Sequence, residues 1–221
     1  MAREVALNLG IILTFLPKSI PGKRGSGMHV NLSFTDAKGQ NALAHGDWGD
    51  PANINDLAKG CIGGWLAHHK GLAGLVAPNA LSYARLQPSS LSGYWCNWGG
   101  DNRNVTAGLS AEGGKKARLE HRMPDAAANP YTAVAAILQA ARLGGPLPPL
   151  ETGDGFTRND APYGVAATLA EALDDLAADT ALTGAVGAGL VENHLFMKRA
   201  EVTKTAALDG DALRDWYVWY L

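Results

Sequence analysis

Residues 115–125 read KKARLEHRMPD, and residues 25–34 read GSGMHVNLSF. Each alternates in a way that only a strand explains, because successive side chains on a strand face opposite sides. In the first stretch Arg118, Glu120 and Arg122 share one face, and Leu119, His121 and Met123 share the other. In the second, His29, Asn31 and Ser33 oppose Met28, Val30, Leu32 and Phe34. Each strand therefore offers an apolar face to a core and a polar face that carries imidazole, amide, carboxylate and guanidinium groups. Arginine suits a bidentate grip on carboxylate or phosphate. If the two polar faces converge, His29 and Glu120 become candidate ligands for an oxygen-preferring cation such as Mg2+ or Mn2+. Two protein ligands are too few for a tight site.

Outward from these strands, the chain reads as strands first and helices last. Ala2 to Gly10 has the pattern of a helix end, with Gly10 past its C-terminus. Ile11–Leu16 is an apolar run closed by Pro17 and is expected to be a strand. Gly22 to Gly27 is a loop rich in Gly, Lys and Arg, and Asn53 to Val76 has helical spacing, with Asn53 or Asn55 as its cap. Gly93–Trp98 and Thr106–Leu109 are expected strands around the GGDNRN turn, residues 99–104. Asn129-Pro130 opens a helix that runs through Arg142. After the linker GGPLPPLETGDG, helices are expected near Val165–Ala178, Thr180–Thr205 and Asp211–Tyr220. The expected fold class is α+β, with a mostly antiparallel sheet and a helical C-terminal third.

Composition excludes several classes. The 221 residues are 47% hydrophobic and 18% charged, with net charge −2. A nucleic-acid binder would show a basic excess or stripe. No run reaches the roughly 18 apolar residues that span a bilayer. The N-terminus has neither the basic opening nor the clean apolar run of a signal peptide. Cys61 and Cys96 have no metal-binding spacing and make no disulfide framework, which points to a reducing, cytoplasmic setting.

Each candidate has a plainer alternative. A strand histidine is commonly structural, and an Arg-Glu-Arg face is commonly a solvated salt-bridge face. Gly, Asn and Asp form turns without any ligand. His68 and His69 read as surface or packing residues. Tyr94, Trp95, Trp98, Trp216, Tyr217, Trp219 and Tyr220 read as core or interface. The residues by themselves carry the reading to a polar, cation-binding cleft on a mixed sheet.

Residues 15–34, FLPKSIPGKRGSGMHVNLSF, resemble the "MPKP…GSGMH…S" segment of glutamine synthetases. NALSYARLQP (79–88), WGGDNRN (98–104) and KKARLEHRMPDAAANPYTAVAAIL (115–138) resemble the family's "NSYKRL.P", "NR" and "R.E.R..D..ANPY" segments, in the same order. The resemblance is strong from about Met1 to Gly145 and loose to Leu221. It implies that residues 1–221 are the C-terminal part of a glutamine synthetase catalytic domain. The N-terminal β-grasp domain and the front of the catalytic domain have no counterpart here.

The resemblance further implies roles. His29 and Glu120 match two ligands of the metal site beside the substrate carboxylate. Gly25, Arg85 and Arg122 match positions that hold glutamate. Asn31, Ser33, Lys115 and Arg118 fall at nucleotide-binding positions, and Arg103 matches an arginine that meets the transferred phosphoryl group. The implied activity is an ATP-dependent, Mg2+- or Mn2+-dependent ligase joining a glutamate-like carboxylate to ammonia or an amine through an acyl phosphate. A homo-oligomer, or complementation by an N-terminal half, is implied too. The alternative is a non-catalytic remnant or nucleotide-binding module.

Three positions depart from the glutamine-forming pattern. Asn31 replaces a histidine, Gly108 replaces a nucleotide-contacting arginine, and Leu91 stands where a flap glutamate receives and deprotonates ammonium. Leucine can accept no proton. A larger amine than ammonia is therefore the expected acceptor, and the isolated chain is expected to be inactive.

Overall fold

A computed structural model describes residues 1–43, 54–88, 90–100, 102–110, 114–152 and 161–219. Asn53, Asp101, the last three residues of the expected linker and Tyr220 lie outside them. The elements are α1 (Ala2–Asn8), β1 (Val30–Leu32), α2 (Asp56–Ala67), α3 (His69–Val76), α4 (Ala80–Arg85), β2 (Trp98–Gly100), β3 (Ala107–Leu109), β4 (Leu119–His121), α5 (Pro130–Leu143), α6 (Leu169–Ala178), α7 (Thr180–Val186), α8 (Ala188–Thr205) and α9 (Gly210–Val218).

The strands form one sheet in the order β1-β4-β3-β2. β4 pairs antiparallel with β1 and β3, whereas β2 and β3 run parallel. The fold is thus α+β with a mixed sheet. The apolar face lies against the helices. Leu119 and His121 of β4, Ala107 of β3 and Trp98 of β2 are all buried in the same core as α2, α3, α5 and α6. Trp65 of α2 joins the layers. It is fully buried, its indole Nε1 donates to the Ile137 carbonyl at 2.9 Å, and it meets His121 edge-on with ring centroids 5.1 Å apart. Burial in this apolar setting pushes the His121 imidazole down to about 3, so it packs as a neutral ring.

Helix boundaries follow local chemistry. Asn129 accepts hydrogen bonds from the Tyr131 and Thr132 amides, with Pro130 in the first turn of α5. Asn55, one of the two expected caps, accepts from Ala58 N and starts α2. The expected helix over 53–76 breaks at His68, whose Nδ1 lies 2.7 Å from Asp179 Oδ2. The expected helix over 180–205 breaks at Gly187, which takes φ 117°, a conformation open to glycine. The helix α4 was not anticipated. Its signal is the reciprocal cap in which Asn79 and Ser82 bond each other's backbone.

Two expected strands need correction. Ile11–Leu16 is not a strand, since no extended segment among the described residues pairs with it. Ile11, Ile12, Leu13 and Phe15 stay exposed, and Leu16 turns inward against Leu81 and Tyr217. Gly93–Trp98 contributes only Trp98 to the sheet, because Gly93 turns at φ 74° and Trp95 makes an isolated bridge to Gly164.

His68 and His69 do serve packing. His69 on α3 is fully buried, its Nε2 bonds the Tyr94 carbonyl at 3.0 Å, and burial lowers its pKa to about 4. An unfolded histidine titrates near 6.5, so the unfolded chain takes a proton that the folded one refuses. The contribution is whole above pH 6.5 and is lost as pH falls toward 4. Between pH 7 and pH 5 the wild type is expected to lose about 2 kcal/mol more than His69→Gln in urea unfolding. Equal losses would overturn this assignment.

Candidate active site

Pairing places Asn31, Glu120, Gly108 and Gly99 in one row across the sheet. Partners in register share a face, so the row lies on the polar side. Glu120 is its centre. Its Oε1 lies 2.9 Å from His29 Nδ1, and its Oε2 accepts from Arg122 Nη1. The hydrogen bond with His29, and then the charge of Arg122, hold its carboxyl below the ordinary range against the opposing effect of burial. Arg118, two residues earlier on the same face, donates through Nε to Asn31 Oδ1 at 3.2 Å. A Cβ built on Gly108 would lie 3.4 Å from Glu120 Oε2, so the missing side chain leaves that oxygen open from one side.

A second group meets the first from α4. Arg85 is 6% exposed, donates to the Met123 carbonyl, and lies 3.9 Å from Asp125 Oδ2. The segment 17–27 lies over it, tied by Ser26 N to Pro17 O at 2.8 Å. Gly25 is required there, because a Cβ would sit 2.6 Å from Pro17 O and 2.7 Å from Arg85 Cγ. A cleft of about 490 Å³ opens between these parts, lined by Lys18, Lys23, Arg24, His29, Arg85 and Leu91 among others. Ser33 and Lys115 line a separate cavity of about 720 Å³ with Phe34, Thr35, Gln40 and Asn41. Asn41 fixes one wall by donating to Ala117 O at 2.8 Å.

The structure therefore brings His29, Glu120 and Arg122 into one bonded group, sets Arg85 and Gly25 beside it, and puts Ser33 and Lys115 in one cavity. Arg103 is not joined to the Glu120 group. It lies exposed in the turn before β3. Sequence reasoning missed Asp125 as the buried counter-charge to Arg85. It also missed Asn41, which had no pattern to mark it.

Two adjacent ligands about 2.1 Å from an octahedral ion stand about 3 Å apart, close to the separation of His29 and Glu120. Among the described residues, however, no group of three His, Cys, Asp or Glu side chains converges. The pair fits one edge of a cation's shell and leaves the rest to other donors.

The profile of the glutamine synthetase catalytic domain matches residues 1–217. The chain belongs to the glutamine synthetase family. It is 31% identical over 230 residues to glutamine synthetase of Halobacterium salinarum, covering 99% of this chain and 50% of that protein. It is 39% identical over 140 residues to the Pyrococcus furiosus enzyme, covering 63% of this chain and 30% of that one. Among solved structures, apo GmaS without ligand matches with TM-score 0.81 and 32% identity, over 96% of this chain and 49% of that one. A novel glutamine synthase homolog matches with TM-score 0.80 and 33% identity, over 99% and 51%. The chain thus spans about half the length, or less, of these family members.

Proposed function

We propose that this chain carries the C-terminal share of an ATP-dependent carboxylate–amine ligase site. The observation that supports it best is the bonded group His29–Glu120–Arg122 beside the buried Arg85. In this reading a glutamate-like acid lies in the cleft, held by Arg85, Arg122 and the Gly25 backbone. ATP lies toward the cavity of Ser33 and Lys115, near Asn31 and Arg118. The acid's carboxylate oxygen attacks the terminal phosphorus, and ADP leaves. The amine nitrogen then attacks the acyl carbon, the C–O bond to phosphate breaks, and inorganic phosphate departs. Arg103, exposed in the turn before β3, is assigned to the transferring phosphoryl group. Such chemistry asks the protein mainly to position groups and spread negative charge.

His29 and Glu120 would hold a Mg2+ or Mn2+ ion, which would neutralise phosphate charge there. The remaining carboxylate ligands come from further polypeptide, whether joined to this chain or separate. The exposed apolar tract supports this, with Val5, Leu7, Leu9, Ile11 and Ile12 each more than half exposed. Cys61 and Cys96 are free and buried, which fits a cytoplasmic setting, and no described helix is long and apolar enough to cross a membrane. A homo-oligomer of the assembled enzyme completes the reading.

The test is complementation. The 221-residue chain alone is expected to turn over ATP on the order of a thousandfold more slowly than the same chain co-expressed with a front half from a relative. ATP binding without turnover in the complemented protein would favour the second reading, a nucleotide-binding remnant. The absence, among the described residues, of a third ligand beside His29 and Glu120 favours that reading. Full activity from the isolated chain would refute the need for outside carboxylates.

A further inference from the structure

The cleft beside His29 has a one-sided charge. Lys18, Lys23, Arg24 and Arg85 line it, and no described lining residue is a carboxylate. Arg85 bonds the Met123 carbonyl, lies 3.9 Å from Asp125 and is assigned to the donor acid, and Lys18 Nζ donates to the Lys23 carbonyl. The side chains of Lys23 and Arg24 have no bond to any described residue, and both are exposed at the rim. The same lining includes Ser90, Ser92 and the half-exposed Leu91. Two unengaged cations and one alkyl group thus share the mouth of the cleft.

This arrangement disfavours a simple cationic acceptor. An alkylamine is almost wholly ammonium at neutral pH, since amines of the lysine kind titrate near 10.4. Each exposed rim cation within about 4 Å lowers the local concentration of such an ammonium by roughly fivefold at low salt. An acceptor that brings its own anion reverses the sign. Guanidinium and ammonium groups grip a carboxylate directly, and arginine can do so in bidentate fashion.

We propose that the acceptor is an amine bearing a carboxylate, of the amino-acid class. Lys23 and Arg24 hold its carboxylate, and Leu91 borders its alkyl stem. The proposal rests on the ligase reading and gives that same site its second substrate. The bound ammonium first gives one proton to water; the freed nitrogen lone pair forms the new N–C bond, the C–O bond to phosphate breaks, and the second proton leaves with the phosphate.

The experiment measures binding to the purified full chain by saturation-transfer NMR or calorimetry. The probes are β-alanine, n-propylamine, putrescine, glutamate and ATP. β-Alanine is expected to bind at least tenfold more tightly than n-propylamine. The Lys23→Ala/Arg24→Ala double variant should erase that preference while glutamate affinity stays unchanged. Lys23→Glu/Arg24→Glu should invert it, so that putrescine binds better than β-alanine. Both changes are at exposed positions, and a thermal melt confirms that the fold survives.

Equal binding of β-alanine and n-propylamine by the wild type would overturn the proposal. So would a double variant that weakens glutamate as much as β-alanine, which would make the rim cations part of the donor-acid site. In the protein complemented by a front half, binding of β-alanine through Lys23 and Arg24 with no binding of ATP or glutamate would sink the ligase reading first, and the acceptor assignment with it.

Discussion

Replacing Gly64 with leucine is expected to prevent native packing altogether. Gly64 lies on the face of α2 that touches α5, and a Cβ built there falls 2.0 Å from Ala140 O and 3.0 Å from Gly144 N. Gly63 beside it would place a Cβ 2.1 Å from Gly145 O. These obstacles are backbone atoms of a second element, so no rotamer change relieves the clash. Overpacking normally costs about 1–3 kcal/mol, and a backbone obstacle lies beyond that range. Gly64→Ala should already cost about 3 kcal/mol, and leucine more than a domain holding roughly 5–15 kcal/mol can absorb without a large unfolded fraction. Gly60 supplies the control. It sits in the same helix, and a Cβ there meets nothing within 4 Å. Gly60→Ala should leave stability unchanged or raise it by about 0.5–1 kcal/mol, because glycine is the poorer helix former. Urea titration of the three variants settles the matter. A Gly64→Ala loss below about 1 kcal/mol would show that α2 and α5 can move apart freely.

Glu120→Gln, assayed in the complemented ligase, is expected to lower kcat/KM by about a thousandfold. The amide keeps the shape of the side chain but removes the one negative charge between His29 and Arg122. A cation would lose a charged ligand, and Arg122 would lose the partner that aims it. Losses of a hundred- to a thousandfold are usual when one preorganised electrostatic group is removed. Folding should change by less than about 1 kcal/mol, because Glu120 is only partly buried. Raising the Mn2+ concentration should recover part of the rate if metal affinity is the larger share of the loss. Activity within tenfold of the wild type would remove Glu120 from the centre of the site.

Much of this centre was legible in alternation. KKARLEHRMPD needed only the period of a strand to put Arg118, Glu120 and Arg122 on one side, and pairing in register brought Asn31 opposite Glu120. The caps Asn55 and Asn129 were readable for a similar reason, since each is a local event within three residues. Ile11–Leu16 misled because an apolar run says that a segment wants neighbours, not which neighbours the sheet provides. The helix breaks at His68 and Gly187 were invisible as well. One follows from a partner 111 positions away, and the other from a backbone angle that glycine permits but does not require. Asp125 was overlooked because its meaning depends on Arg85, which α4 delivers from 40 positions earlier in the chain.

Gly108 bears on how the lineage could change. Its neighbours Glu120 and Arg122 lie at ordinary contact distance from where a side chain would begin, so a Cβ at this position meets no clash. One base change converts any glycine codon into an arginine codon. An arginine there would grow toward the open oxygen of Glu120 and compete with Arg122 for it, and so alter the hold on His29. A single base change could therefore place a new charge in this row. The glycines under α5, hemmed in by backbone, grant no such freedom.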